Sequence, residues 1–258
     1  MRILVCVKQV CDSADTLSVN NAGAWVEHAP KSVFRINRFD EYAIEEGLRI
    51  TERHSGSVLD IVSIGPQRVQ AGIRRALGMG AHHGIHILKG EDTYVTPLER
   101  AFLISEAARS RHYDLVLTGV MAEDDMEGQV GGLTAAMLAY ACATNVIYEE
   151  TVPDRGEITV EREIEGGSRE CITLKLPAVL TIQSGINIPR YPVLSHMLKS
   201  RTAALEQISA GMLGPSRPGQ VIEKISPSPP AGIGELIEGS PYEKAEKLLE
   251  ILHRHSLV

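Results

Sequence analysis

The chain has 258 residues, long enough for one large α/β domain with an appendage and for a substantial buried core. Its composition, 43% hydrophobic and 23% charged, is that of a soluble globular protein, and aromatics at 4% leave the core to aliphatic side chains. A net charge of −7 argues against a dedicated nucleic-acid binder, which needs a basic footprint.

The N-terminal run M-R-I-L-V-C-V-K is too short for a signal peptide and reads as a first strand over residues 3–7, rich in β-branched side chains. A polar loop over 12–30 follows. The stretch I-N-R-F-D-E-Y-A-I-E-E-G-L-R-I then puts Ile44, Gly47, Leu48 and Thr51 on one helical stripe, with acidic residues in the first turns. The pattern continues with a strand over 57–65, a helix over 67–77, a strand over 84–88, a helix over 96–110 with Pro97 at its start, and a strand over 114–118. This alternation predicts βαβ crossovers and a parallel sheet, with ligands beyond the carboxyl ends of the strands. A further helix is expected over about 129–140, and from Asn145 to Ile182 the texture becomes strand-rich, antiparallel or mixed.

Past Leu205 the rhythm is lost, so a domain boundary is placed there: residues 1–205 as the α/β domain and 206–258 as linker and helix. Residues 211–234 are rich in Gly, Pro and Ser, including P-S-P-P at 227–230, and read as an extended linker. The last helix, 240–253, carries Ala245, Leu248, Leu249 and Leu252 on one stripe, which must dock on this domain or on a partner; the partner is favoured. No stretch approaches the roughly 20 apolar residues of a membrane span, so no membrane insertion is expected. The four cysteines, Cys6, Cys11, Cys142 and Cys171, show no CxxC spacing, which fits a reducing compartment and a cytoplasmic location.

The strongest local site is T-G-V-M-A-E-D-D-M-E-G-Q-V-G-G-L-T-A, residues 118–135, which follows a strand and opens a helix, where backbone N–H groups and the helix dipole bind anions. Gly128, Gly131 and Gly132 allow close backbone approach, and Gln129 and Thr134 offer neutral hydrogen bonds. The loop has no Lys or Arg, so a phosphate there would be held mainly by backbone. A helix merely capped by its acidic residues is an equally open reading. Glu123, Asp124, Asp125 and Glu127 lack a well-spaced fourth metal ligand, so no metal is expected. His82, His83 and His86 read as surface imidazoles. A second candidate joins residues 8–12 to 36–41: Asn37 either reads an adenine edge or caps the helix, and Phe39 is a stacking surface or a staple. No nucleophile elbow, Walker loop, dinucleotide fingerprint or zinc motif is present, and no catalytic residue is assigned.

Residues 160–192 are the most specific stretch. Two β-rich runs flank Gly166-Gly167, Leu176-Pro177 enters an apolar strand, and N-I-P-R-Y-P leads into a helix. Together with V-K-Q-V-C-D, N-R-F-D-E-Y-A-I-E-E-G-L and A-E-D-D-M-E-G-Q-V-G-G-L-T-A, this stretch resembles the beta subunits of electron-transfer flavoproteins over nearly the whole chain. The resemblance implies a Rossmann-like α/β fold of the adenine nucleotide alpha-hydrolase type: a parallel sheet with helices on both faces, plus a C-terminal extension and helix.

It also implies a heterodimer with an alpha subunit that carries most contacts to a redox-active FAD, while this chain shields the flavin and binds AMP. Electrons would arrive from an acyl-CoA dehydrogenase or similar flavoprotein, as in fatty acid beta-oxidation, and leave for a quinone reductase; such a chain is a carrier rather than an enzyme. Residues carried over to the nucleotide are Val10 by its backbone, Asn37, Arg38, Phe39, Asp40, Ser63, and the run Glu123, Asp124, Asp125, Met126, Glu127, Gly128, Gln129, Val130, Gly131, Gly132, Leu133 and Thr134, with Phe39 near the flavin. Pro189, Arg190, Tyr191, Leu194 and Met197 fall in a partner-docking loop over 187–197, with Leu194 as its apolar anchor.

The chain departs from the family pattern in places. Where the nucleotide loop usually ends Asn-Gln-Thr-Gly, this chain has Gly-Gln-Val-Gly; relatives that bifurcate electrons, oxidise NADH and hold a second FAD in place of AMP have Gln-Val-Gly but a Gly at the position of Asp125 and a Thr at that of Glu127. Negative charge at Asp125 and Glu127 favours the smaller AMP over a pyrophosphate. The basic cluster after the docking loop is thinned to Lys199 and Arg201, and Ser13 stands where an aromatic is common. A stand-alone adenine-nucleotide-binding stress-type protein is the remaining alternative, against which the linker and helix argue.

Overall fold

A computed structural model describes residues 1–12, 14, 15, 17–19, 23, 25–90, 94–215, 219–226, 234 and 236–257. Ser13 and the proline-rich run at 227–230 lie outside the described residues.

Strand β1 (Arg2–Cys6) is buried at every position after Arg2, as an apolar strand covered on both faces must be. Strand β2 (Gln9–Cys11) pairs antiparallel with β5 (Phe34–Ile36), and the stretch between them, read as a loop over 12–30, contains the two-residue strands β3 (Ser18–Val19) and β4 (Val26–Glu27). The expected alternation follows: α1 (Arg38–Arg53), β6 (Val58–Gly65), α2 (Gln70–Met79), β7 (His83–Leu88), α3 (Pro97–Arg109), β8 (Leu115–Gly119) and α4 (Val130–Leu138). Thr96 caps α3 by accepting from the N–H of Glu99, with Pro97 at the first turn where its missing N–H is not needed.

The strand-rich stretch begins at Ala141 and is mixed. It comprises β9 (Ala141–Val152), β10 (Glu157–Glu163), β11 (Arg169–Lys175) and β12 (Ala178–Ile182). Strands β9, β10 and β11 form an antiparallel meander, while β12 returns to lie parallel between β8 and β9. The turn from β10 to β11 uses Gly166 and Gly167 at φ of 80° and 74°, the left-handed region that glycine enters without a Cβ penalty. Helix α5 (Leu194–Thr202), β13 (Glu206–Ser209) and α6 (Ala210–Leu213) complete the unit. The sheet order is β11-β10-β9-β12-β8-β1-β6-β7-β13, a Rossmann-like, mostly parallel sheet.

Because side chains alternate across a strand, the sheet feeds two cores. Val5, Ile61, Leu117 and Leu180 pack with Ile44 and Leu48 of α1, whereas Leu4, Val62, Val116 and Val179 pack with Ile104 and Ala107 of α3 and Ala135 of α4. Helices therefore cover both faces. Helix α1 lies close against β1 and β6: a Cβ at Gly47 would fall 2.8 Å from Leu59 Cδ1 and 3.2 Å from Val5 Cγ2.

Two expectations change. His82 and His83 are exposed, but His86 is fully buried, because β7 is an interior strand between β6 and β13. Its Nε2 donates to the Gly65 carbonyl (2.9 Å), which leaves Nδ1 to accept from the Gln70 amide (3.2 Å). The compact unit also runs to Ile225 rather than Leu205, because β13 hydrogen-bonds along β7 and α6 packs on α3. The second unit, Ser226–Val258, holds α7 (Pro241–Arg254), started by a capping box between Ser240 and Glu243. Among the described residues, no helix is long and apolar enough to cross a membrane.

The close approach of α1 to the sheet gives one expectation. Gly47→Val overpacks a filled contact and should destabilise the fold by roughly 1–3 kcal/mol, read as a lowered urea midpoint with an unchanged slope.

Candidate functional site

Strand order reverses between β1 and β8: from β1 the chain moves outward through β6 and β7, then crosses back to β8 on the other side. The crevice beyond the carboxyl ends of two such strands is where an open α/β sheet binds ligands. A single buried carboxylate ties the two strand ends together. Asp40, in the first turn of α1 and 5% exposed, accepts from the N–H of Lys8 just after β1 (2.7 Å) and from the N–H of Gly119 at the end of β8 (3.0 Å). A Cβ on Gly119 would lie 2.5 Å from Asp40 Oδ1 and 2.7 Å from Phe39 Cβ, so this position tolerates no side chain. Burial pushes the Asp40 carboxyl up to about 7, against the pull of the two N–H bonds and of Lys8. Phe39 is half-buried, its backbone and Cβ lying against Gly119.

Asn37 sits at the N-cap of α1, yet its side chain makes no cap hydrogen bond. Instead its amide donates to the Met121 carbonyl (2.8 Å) and its oxygen accepts from the N–H of Glu123 (3.2 Å). In exchange Glu123 accepts from the N–H of exposed Arg38 (3.0 Å) and takes a two-pronged ion pair from Arg35 (2.7 and 3.2 Å). The loop is thus held by the cap residue, whose side chain does not cap its own helix, contrary to the capping reading of Asn37. Burial alone would raise the Glu123 carboxyl, but Arg35 and the Arg38 N–H hold it below the usual range.

The loop's remaining carboxylates also find partners from afar. Lys8 donates to Asp124 (2.5 Å) and Asp125 (2.9 Å), and Arg100 of α3 reaches Asp125 (2.6 Å). Against its burial, these two cations keep the Asp125 carboxyl below its ordinary range. Among the described residues Glu127 is bonded by neutral groups: Tyr94 Oη (2.6 Å), the Gln129 amide (2.9 Å) and the Gln220 amide (3.3 Å). Burial and then the Glu127 bond push the Tyr94 hydroxyl up to about 12, so it stays a donor. Among the described residues, no group of His, Cys, Asp or Glu is arranged to hold a metal ion. Arg35, Arg100 and Tyr94 were missed by sequence reasoning, since none lies in the loop or in the second candidate; Lys8 fell inside the second candidate, over 8–12, by its position right after β1.

Beyond the carboxylates the loop offers backbone. Met126 is exposed at φ 52°, and Gly128 at φ 64° turns the chain toward α4, where a Cβ would be 3.4 Å from the Val120 carbonyl. Gly131 packs α4 against Thr118 and Thr181, while the next residue, Gly132, is exposed with open space where a Cβ would stand. Gln129 makes no side-chain cap bond, leaving the first N–H groups of α4, from Val130 on, without a capping side chain. Leu133 is half-buried and Thr134 fully buried. The hydroxyls of Thr134 and of Ser63, on β6 beside β1, are both buried without a hydrogen-bond partner among the described residues. Val10 is buried, opposite Arg35 in the β2–β5 ladder.

The docking candidates lie elsewhere, along α1 and at the start of α5. Tyr191 and Leu194 are strongly exposed, with Ile188, Val193 and Leu198 beside them. Pro189 is half-buried, and Met197 packs toward Gly78 of α2. Arg190 is turned inward onto Glu45 and Glu52.

The Asp40 bond gives a pH expectation. Its pKa is raised in the folded state, so between the ordinary value of 3.8 and about 7 the folded chain holds a proton that the unfolded chain has lost. The Asp40 contribution is therefore fully present at acid pH and is lost as pH rises through that window. Wild type should be favoured over Asp40→Asn more at pH 5 than at pH 8, measured by chemical unfolding; a pH-independent difference contradicts the assignment.

A family model described as electron transfer flavoprotein domain matches residues 26–212. Similar curated proteins, each called electron transfer flavoprotein subunit beta, come from Bos taurus (37% identical, covering 83% of both chains), Dictyostelium discoideum (32%, covering 100% of this chain and 99% of the relative) and Methylophilus methylotrophus (28%, covering 98% of both). With a crevice at the reversal of a Rossmann-like sheet and these matches along it, the chain belongs to the electron transfer flavoprotein beta-subunit family.

Proposed function

We propose that this chain binds AMP at the β1/β8 crevice and, paired with an alpha subunit, shields a FAD held mainly by that subunit. The observation that supports the AMP reading is the pair of buried hydroxyls on Ser63 of β6 and Thr134 of α4, which have no hydrogen-bond partner among the described residues. A buried hydroxyl without a partner is costly, and a polar ligand supplies one. The α4 N-terminus with open backbone at Gly132 suits a phosphate, and Asp124 and Asp125 need not repel it because Lys8 and Arg100 neutralise them. When bound, the flavin supplies the electron-carrying ring. This chain's part is to hold nucleotide, exclude water and present a docking surface, which makes it a carrier subunit rather than a catalyst. The exposed Tyr191 and Leu194 serve that surface, on which an acyl-CoA dehydrogenase-type flavoprotein delivers electrons bound onward for a quinone reductase. The α7 helix, with Leu248 and Leu249 exposed, docks on the alpha subunit.

One observation favours a second reading, FAD in place of AMP in a bifurcating, NADH-oxidising complex. Asp125 is already paired with two cations, so only Glu127, bonded by neutral groups, remains to repel a pyrophosphate. Release of nucleotides from the denatured heterodimer decides: one AMP and one FAD are expected, and two FAD with no AMP overturns the AMP reading.

Thr134→Val removes a hydroxyl that has no protein partner, so the fold should be kept while retained AMP falls about fivefold to tenfold, the worth of one buried hydrogen bond. AMP content equal to wild type contradicts the role given to Thr134. Leu194→Ala should slow reduction of the carrier by an acyl-CoA dehydrogenase at unchanged flavin content. Loss of flavin instead makes the segment a cofactor wall and ends the docking reading.

A further inference from the structure

Arg190 stands in the middle of the docking segment but is spent on the protein itself. Its Nε and Nη2 donate to the two oxygens of Glu45 (2.8 and 3.0 Å), and its Nη1 and Nη2 to the two oxygens of Glu52 (2.6 and 3.2 Å). Its backbone N–H also donates to Glu45 (3.1 Å). A guanidinium has five N–H donors in a rigid fork, so these bonds leave one. Glu45 and Glu52 stand two turns apart on one face of α1, and a single planar cation bridges them.

The neighbouring contacts have the same character. Three residues earlier, the Asn187 amide donates to Glu46 (2.8 Å) and to the Tyr42 carbonyl (3.1 Å), again on α1. At the far end Arg74 of α2 donates to the carbonyls of Ser200 (2.6 Å) and Ala203 (3.0 Å), closing the C-terminus of α5. The segment is nailed at 187, at 190 and at 200–203, and the exposed side chains Tyr191, Val193, Leu194 and Leu198 lie between the nails. A partner carboxylate approaching Arg190 would meet Glu52 first, which is 58% exposed in its side chain against 34% for Arg190.

Building on the docking reading above, we propose that Arg190 is a positioning residue: forked onto Glu45 and Glu52, it fixes the turn that presents Tyr191 and Leu194, and it makes no contact with the electron donor. A pre-ordered segment binds without the ordering cost that a loose one meets at each encounter. Transient electron-transfer contacts are small, so that saving is a large share of their affinity.

The test uses the complete heterodimer, reduced by an acyl-CoA dehydrogenase with its acyl-CoA. Arg190→Ala should raise KM for the carrier about tenfold with kcat within about twofold, since loosening acts on binding and not on transfer. Glu45→Gln with Glu52→Gln should raise KM equally, and the triple variant should be no worse than either, because all three remove one clamp. Arg190→Lys, which keeps charge without the fork, should fall between. Amide hydrogen exchange over 188–198 should quicken in each variant.

If the double Gln variant keeps or lowers KM while Arg190→Ala raises it, Arg190 touches the partner and the proposal is overturned. A fall in kcat at constant KM, or unchanged exchange over 188–198, overturns it as well. Should Leu194→Ala leave the dehydrogenase reaction unaltered, the docking reading itself fails, a result separate from the Arg190 comparison.

Discussion

The arrangement depends on one carboxylate. Asp40 bridges the N–H groups at the ends of β1 and β8, the two strands between which the sheet order reverses. Parallel strands diverge at such a point, and the backbone donors just past their ends need partners that neither strand supplies. Placing an acceptor there from α1 ties helix, β1 and β8 into one corner. It also demands glycine at 119, where a Cβ would occupy the carboxylate's place. Burying the charge opposes its ionisation, and the two N–H bonds oppose that in turn. The exchange between Asn37 and Glu123 depends on this corner, since it requires the start of α1 and the loop after β8 to be neighbours.

The loop over 120–129 shows how charge in sequence differs from charge in space. Read linearly it is an acidic run at a helix entrance, a poor place for a phosphate. Folded, three cations arrive from elsewhere in the chain: Lys8 from just after β1 onto Asp124 and Asp125, Arg35 of β5 onto Glu123, and Arg100 of α3 onto Asp125. The pairs are partly shielded from water, so they are screened less by salt than exposed ones. They hold the loop in place.

Helix α1 serves two surfaces at once. Its first turn, through Asn37, Arg38 and Asp40, builds the crevice, while Glu45, Glu46 and Glu52 hold the segment from Asn187 to Arg190. That explains why a helix carries buried carboxylates at Asp40, Glu45 and Glu46, residues that are rarely inside unless paired. An amphipathic reading of α1 sees only the apolar stripe of Ile44, Gly47 and Leu48. The acidic residues look like a solvated face until the chain returns, about 140 residues later, to lie on them.

Local physics was legible in the amino-acid sequence. Strand and helix periods, Pro97 and Ser240 at helix starts, and Gly166-Gly167 at a turn are statements about neighbours in the chain, and the elements formed where those signals stood. The residues 160–192 and the loop over 118–135 likewise carried the family. Tertiary structure alone decided where long polar side chains find their partners. The Asn37 side chain turns to the loop rather than to its own helix, His86 is buried because β13 covers the edge of β7, Arg190 faces inward, and Asp125 is paired with Lys8 and Arg100. The reason is range: backbone propensity acts over a few residues, whereas an ion pair or a buried hydrogen bond joins whichever groups the topology brings within 3 Å, at any separation along the chain.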